Sequence, residues 1–531
     1  LDRIQSLLRS LAPEMLTGML RGIEKEGLRA LPDGTLALTP HPAGLGSALT
    51  HPHITTDFSE SQLELITGVH TTAQACEDEL VAIHQAVYRE LGNELVWGAS
   101  MPCRLPADEQ AIPLGRYGTS NVGRSKTVYR NGLSHRYGRR MQTISGIHYN
   151  FSLPPQAWPA LQSAEARGGP LEGYRNAAYF ALIRNFRRHS WLLLLLLGAS
   201  PAVGESFVIG RGHALRPLSP DTLYLPHATS LRMGPLGYQS DAQSALAVSY
   251  NSLAGYAASL NRALTEPYPP YEAIGIGGGT DDYRQLATTL LQIENEFYGT
   301  IRPKRRIRPG ERPLHALGER GVEYVEVRCL DIDPFEPVGI SAATMRLLDV
   351  FLLHCLLAES PPDTPAEIAA LLRNQHLAAD QGRRPGLELL RRGETIAAST
   401  WSAELLAECA PIAEALDRAH GGAGHRDAIE AAARALAHPA QLPSAQVLEA
   451  ITTQHQGSHT AFGLTISNAH RTALRERPAD AAMVASLAAM ARDSIAEQAR
   501  LEAADTLPFE TYRQRYLAQD LMNGDQFRLA T

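Results

Sequence analysis

Gln142–Pro154 reads Q-T-I-S-G-I-H-Y-N-F-S-L-P. Ile147, Tyr149 and Phe151 alternate with His148, Asn150 and Ser152. A period of two is that of a strand with one apolar and one polar face, so His148 points away from the apolar layer. An imidazole there serves as a hydrogen-bonded structural residue or as a metal ligand. Gly321–Arg328, G-V-E-Y-V-E-V-R, has the same texture, with Tyr324, Glu326 and Arg328 on one face and Glu323, Val325 and Val327 on the other. An Arg beside a Glu on a strand face forms an ion pair or holds a phosphate near a metal-bound carboxylate. Gly22–Arg29 reads G-I-E-K-E-G-L-R. A strand over Ile23–Glu26 projects Glu24 and Glu26 from one face, roughly 7 Å apart. Carboxylates that close repel unless a cation joins them; the plainer reading is a solvated edge strand. In Thr55–Thr67, T-T-D-F-S-E-S-Q-L-E-L-I-T, alternation begins near residue 62 and leaves Asp57 in the preceding loop. A helix with Asp57 and Glu64 two turns apart competes with that strand.

Together these segments offer five carboxylates, Glu24, Glu26, Asp57, Glu64 and Glu326, and the imidazole of His148, with no thiolate. Hard oxygen donors in that number suit Mg²⁺ or Mn²⁺ better than zinc. Carboxylates with a facing Arg suit phosphoryl transfer, where metal ions and guanidinium groups neutralise phosphate charge.

The rest of the chain narrows the class. Its 531 residues carry a formal charge of −7 and are 44% hydrophobic, which excludes a disordered chain and argues against a dedicated nucleic-acid binder. Cys76, Cys103, Cys329, Cys355 and Cys409 show no metal-ligand spacing and read as buried reduced thiols of a cytoplasmic protein. The N-terminal L-D-R-I-Q-S-L-L-R-S-L is amphipathic and lacks a signal-peptide core. Trp191–Leu197 is too short to cross a membrane; Ala181–Leu197 reads as a buried helix with Arg184, Arg187 and Arg188 reaching out of one face. Ile301–Arg312, I-R-P-K-R-R-I-R-P-G-E-R, holds six basic residues with little to balance them. It is a solvated loop or an approach surface for nucleotide phosphates. Gly118–Ser125, G-T-S-N-V-G-R-S, mimics a Walker motif but has no preceding apolar strand and Arg where Lys is required. Gly277–Gly279 reads as a turn between strands.

Texture changes near residue 340. Before it, short alternating segments mix with helices. From Ser341 onward the chain is rich in Ala and Leu at helical spacing, with loops expected at Pro361–Pro365 and Gly421–Gly424. The division expected is an α/β catalytic part over residues 1–340 and a mainly helical part over 341–531 packed on it.

These segments, with A-L-T-H-P-H-I-T-T-D-F-S-E, Y-G-T-S-N-V-G-R-S-K-T-V-Y-R, Y-L-P-H-A-T-S-L-R and L-Q-I-E-N-E-F-Y, resemble the proteobacterial type of glutamate–cysteine ligase. The matches run in order from about residue 17 to 357, and a looser likeness continues to E-A-A-D-T-L-P-F near residue 509. The resemblance implies an α/β fold like glutamine synthetase, a funnel made by a curved, mainly antiparallel sheet flanked by helices. It implies joining of the γ-carboxyl of L-glutamate to the amine of L-cysteine through γ-glutamyl phosphate, with ATP as co-substrate and Mg²⁺ or Mn²⁺ as cofactor. It places Glu24, Glu26, Glu64, His148 and Glu326 around the metal. Asp57 lies close by and is a candidate acceptor of the amine proton. Arg328 would stabilise the transferring phosphoryl group. Tyr129, Arg232, Tyr238 and Tyr298 would line the amino-acid pockets, and Arg302 and Lys304 would meet the nucleotide phosphates. A monomer inhibited by glutathione, with no nucleic-acid or membrane partner, completes the expectation. One departure is clear: P-Q-A-W-P-A-L-Q-S-A-E-A-R, after Pro154, has no cysteine to pair with Cys103, as some relatives have. A related γ-glutamyl ligase using another amine and a noncatalytic relative are the competing readings.

Overall fold

The computed structural model describes residues 2–237, 241–244, 246–277, 282–308 and 310–518. All four alternating segments are strands of one sheet. Its seven strands are β1 (Leu20–Ala30), β2 (Ile54–Thr56), β3 (Gln62–Ile66), β4 (Leu95–Val96), β5 (Ile147–Ser152), β6 (Ile301–Lys304) and β7 (Tyr324–Leu330). Their order is β2-β3-β1-β5-β7-β6, with β4 beside the end of β1. Every pairing in it is antiparallel. β1 is therefore central, not a solvated edge. Thr55–Ile66 forms two strands and no helix, with Asp57 in the turn between them.

The helices that matter for the site are α1 (Ala73–Glu90), α2 (Asn121–Tyr137), α3 (Leu171–Leu197), α4 (Ala342–Leu357), α5 (Pro365–Gln381), α6 (Ala398–His420) and α7 (Phe509–Leu517). Ser341 caps α4, its Oγ accepting from Thr344 N at 3.3 Å. The apolar sheet face, including Ile23, Leu63, Leu65, Tyr149, Phe151, Val325 and Val327, is buried with α1, α3 and α4 in a hydrophobic cluster that reaches from Ile4 to Leu487. Within this layer Arg21 pairs with Asp349 at 3.0 Å, and the Tyr149 hydroxyl donates to Asp349 at 2.6 Å. A buried carboxylate thus ties α4 to β1 and β5 with its charge compensated.

Several local expectations are revised. Arg184 does not reach out of α3. It is buried, donating to the carbonyls of Tyr250, Ser360 and Pro361, so its charge is spent on backbone oxygens inside the fold. The region after residue 341 is largely helical but includes a hairpin, Glu388–Arg391 with Glu394–Ala397. Gly277 follows a short helix, Pro269–Ile274, rather than a strand, and Gly278 and Gly279 lie outside the described residues. All five cysteines are buried and free. Among the described residues no helix is long and apolar enough to cross a membrane.

Candidate active site

Strand register places the chemistry on the polar sheet face. Glu26 sits directly opposite Glu64 on β3, and Glu24 opposite His148 on β5. One strand further, Asn150 faces Glu326 on β7, and Arg302 of β6 faces Glu326 from the other side. Lys304 and Arg328 follow two residues along and share that face. The sheet thereby gathers four carboxylates, one imidazole and three cations from five strands. Like charges directly across strands are destabilising, so the Glu26–Glu64 pair is not explained by fold stability.

His148 bridges the acids, with Nδ1 3.2 Å from Glu24 Oε2 and Nε2 3.6 Å from Glu26 Oε1. Asn150 donates to Glu24 at 3.0 Å, and Gly146 N donates to Glu26 at 2.8 Å. Glu326 lies between Lys304 and Arg328, at 3.1 Å from each. Glu326 Oε1, the atom nearest Lys304, is buried and accepts no aligned hydrogen bond. Donor atoms of Glu24, His148 and Glu326 lie within 4.8 Å of one another.

Electrostatics divide the acids into two groups. Burial would raise Glu326, yet Lys304, Arg328, His148 and Arg302 together hold it well below the carboxylate range. Burial and the charge of Glu326 push Glu24 up, but His148 and Lys304 outweigh them and leave it lowered. Glu26 is pushed up to about 8 by burial and then by the Asp57 charge. Glu64 is raised well above its usual value by burial and by the charges of Asp57, Glu24 and Glu26. His148 is lowered by burial and by Arg328, which keeps the imidazole neutral and able to ligate.

Above this floor is a cavity of about 710 Å³, the size of a small-molecule site. Glu24, Glu26, Asp57, Glu64, His148, Glu326 and Arg328 line it, with Tyr129, Arg232, Tyr298, Arg302 and Lys304. α2, α5 and α7 supply further walls through Lys126, Leu371 and Tyr512. Arg232 is almost fully buried and donates to the carbonyl of Arg328 at 2.8 Å. A Cβ at Gly146 would lie 2.1 Å from its Nη2, so only glycine lets this guanidinium lie against the β5 entry. Gln142 donates to the Tyr298 hydroxyl at 2.9 Å, and burial raises both Tyr298 and Tyr129.

The comparisons with known proteins agree along nearly the whole length. The sequence model of the family Glutamate-cysteine ligase matches residues 4–378. A glutamate–cysteine ligase of Alcanivorax borkumensis is 48% identical over 519 residues, covering 97% of this chain and 98% of that protein. One from Pseudomonas aeruginosa PAO1 is 49% identical over 507 residues, covering 96% and 95%. The chain belongs to the glutamate–cysteine ligase family. The glutamate–cysteine ligase of Francisella tularensis, solved in complex with AMP, superposes with a TM-score of 0.88 at 36% identity, covering 95% of this chain and 98% of that one.

For this member of the glutamate–cysteine ligase family, every sequence-predicted site residue within the described part lies at one cavity; Tyr238 is outside the described residues. The basic stretch differs from its sequence reading, because its balance comes from distant carboxylates. Lys304 pairs with Glu326, Arg306 with Glu323, Arg308 with Glu319 and Arg312 with Glu294. Arg302 donates to the carbonyls of Asn295 and Phe297, so it braces a loop as well as lining the cavity. The Walker-like segment opens α2. Ser120 Oγ accepts from Gly123 N, and Asp505 accepts from Asn121 N, so these first-turn donors are already taken.

Sequence reasoning missed Lys126 and Arg130. Burial and the neighbouring Arg130 lower Lys126 to about 8; Arg130 donates to the Asp57 carbonyl. Both lie in Y-G-T-S-N-V-G-R-S-K-T-V-Y-R, three and four residues from the other cavity-lining positions of α2, so helical periodicity was the signal that could have found them.

Proposed function

We propose that the chain joins the γ-carboxyl of L-glutamate to the amine of L-cysteine, coupled to ATP cleavage, on the polar face of this sheet. This is the first step of glutathione synthesis. The observation that carries the reading is the convergence of Glu24, Glu26, Glu64, His148, Glu326 and Arg328 from four strands beneath one cavity. We read the curved sheet and the helices around it as a funnel of the glutamine synthetase kind. Residues 1–340 form its catalytic part, and the mainly helical described residues 341–518 pack on it and add to the cavity wall. We read the protein as a monomer open to inhibition by glutathione.

Glu24, Glu26, Glu64, His148 and Glu326 would hold Mg²⁺, or Mn²⁺. The fit rests on the donor spacing of Glu24, His148 and Glu326 and on the Glu26–Glu64 juxtaposition, whose raised pKa values a divalent cation would relieve. When bound, the ion neutralises phosphate charge.

The reaction has two displacements. A γ-carboxylate oxygen of glutamate attacks the terminal phosphorus of ATP, the bond to the bridging oxygen breaks, and ADP leaves. Arg328 neutralises charge on the transferring group. The cysteine nitrogen then attacks the γ-carbonyl carbon, the bond to phosphate breaks, and Asp57 takes the amine proton. Arg232 suits a substrate carboxylate with its planar guanidinium, and Tyr129 and Tyr298 enclose the amino-acid substrates. Arg302 and Lys304 face the nucleotide phosphates.

The test is phosphate release with ATP, Mg²⁺ and glutamate, adding cysteine and other amines in turn. Cysteine should accelerate turnover above every alternative. A faster turnover with another amine would make the chain a different γ-glutamyl ligase, and no turnover with any amine would leave a noncatalytic relative.

A further inference from the structure

His189 of α3 and the adjacent His354 and Cys355 of α4, none of which lines the cavity, meet in the helical layer. One donor atom from each lies within 4.8 Å of the other two. His354 and Cys355 are fully buried. The surroundings are apolar: the His189 ring stands edge-on to Trp401 at 6.0 Å, and Trp401 packs on Trp191 at 4.7 Å.

The hydrogen bonding of these rings is one-sided. His354 Nε2 lies 2.7 Å from a carboxylate oxygen of Glu408 on α6. Its Nδ1 is buried with no hydrogen-bond partner, and so is Nδ1 of His189. Buried polar atoms in native proteins nearly always have partners, and leaving one without is costly. The two rings that carry these orphan nitrogens, with the Cys355 thiol, form a set of metal donors. A carboxylate on the outer nitrogen of a histidine is also the usual support of a metal-bound imidazole, since it fixes the tautomer that leaves the inner nitrogen free. Of the guanidinium groups near His189, Arg188 is paired with Glu367 at 2.7 Å and Arg391 with Glu404, while Arg392 adds positive charge.

We propose that His189, His354 and Cys355 form a second metal site, for a thiophilic ion of the Zn²⁺ class, separate from the oxygen-rich ligase site. Two imidazoles and a thiolate select such an ion over Mg²⁺. Thiolate, Zn²⁺ and the Glu408 carboxylate sum to zero charge, which makes burial tolerable. Tetrahedral coordination needs donor spacings of roughly 3.5 Å, so the side chains close inward on the ion, and water completes the shell. The site clamps α3 to α4, with α6 braced through Glu408.

The test uses the full-length protein produced in medium supplemented with Co²⁺, a spectroscopic stand-in for Zn²⁺. A thiolate-to-cobalt charge-transfer band should appear at one sulfur per chain. It should vanish in Cys355→Ser and persist in Cys409→Ala, which removes the neighbouring thiol. Cobalt at the ligase cavity cannot mimic this, because no cysteine lines that cavity. X-ray absorption of the zinc-loaded wild type, which needs no variant, should show one sulfur and two imidazole nitrogens. Absence of the band in the wild type, its persistence in Cys355→Ser, or a zinc shell of oxygen and nitrogen alone would overturn the proposal.

Discussion

Glu326 is clamped between Lys304 and Arg328 at equal distances and stays ionised deep in the sheet. Replacing it by Gln keeps the volume and removes the charge, leaving both cations facing a neutral group. Glu326→Gln should cut turnover by at least ~10²-fold while the far-ultraviolet circular dichroism is unchanged, in keeping with the loss of an electrostatic contact at a phosphoryl-transfer centre; full activity at ordinary magnesium would remove it from the metal set. Gly146→Ala should act through Arg232, since the added methyl collides with the guanidinium. A rise of about tenfold or more in KM for an amino-acid substrate is expected, against an unchanged KM for ATP. Glu26 gives a pH signature. Its carboxyl is held at about 8 against an ordinary 4.5. Between those values the folded, metal-free protein keeps a proton that the unfolded chain has shed, so its stability falls as pH rises through the window. Magnesium displaces that proton, so the Mg²⁺-induced gain in Tm should grow from about pH 6 to about pH 8. Thermal melts in chelator and in magnesium across that range measure it; a gain independent of pH would separate Glu26 from the metal.

At the scale of elements, the strands with clean alternation were legible and their neighbours were not, and β6 lay in the basic stretch read as a solvated loop or a phosphate approach surface. Alternation in Ile147–Ser152 sets His148 opposite the apolar face, and alternation in Tyr324–Leu330 puts Glu326 and Arg328 on one face, without any tertiary knowledge. It does not say that β1 lies between β3 and β5, because pairing is decided by long-range packing. The same limit explains the basic stretch: Arg312 finds Glu294, and Arg308 finds Glu319, across loops that no local pattern connects. The 292–298 loop is the clearest case. Its acidic residues find distant cations: Glu294 takes Arg312 at 2.7 Å and Glu296 takes Arg136 at 2.8 Å, both pairs buried. They hold the loop that presents Tyr298. Removing one partner of a buried pair costs about 3–5 kcal/mol. Glu296→Ala should therefore lower Tm and raise the KM for an amino-acid substrate, with metal affinity preserved. Loss of metal affinity by isothermal titration, with Tm intact, would make it a ligand instead.

Across the whole molecule, one apolar cluster runs from the N-terminal helix to residues beyond 480, and the polar sheet face is the surface it leaves for chemistry. The later helices are more than a support, since Tyr512 and Tyr516 of α7 reach the cavity wall. Composition announced these helices but gave no hint that α7 returns to the site. We propose the polar face of the sheet as the metal and phosphoryl-transfer floor. Anomalous diffraction from crystals grown with Mn²⁺ and a nonhydrolysable ATP analogue tests it most directly. The account predicts a manganese peak within ligand distance, about 2.0–2.6 Å, of both Glu326 and His148, with the terminal phosphate beside Arg328. Manganese bound away from these carboxylates, or an analogue whose phosphates lie far from Arg328, would contradict it.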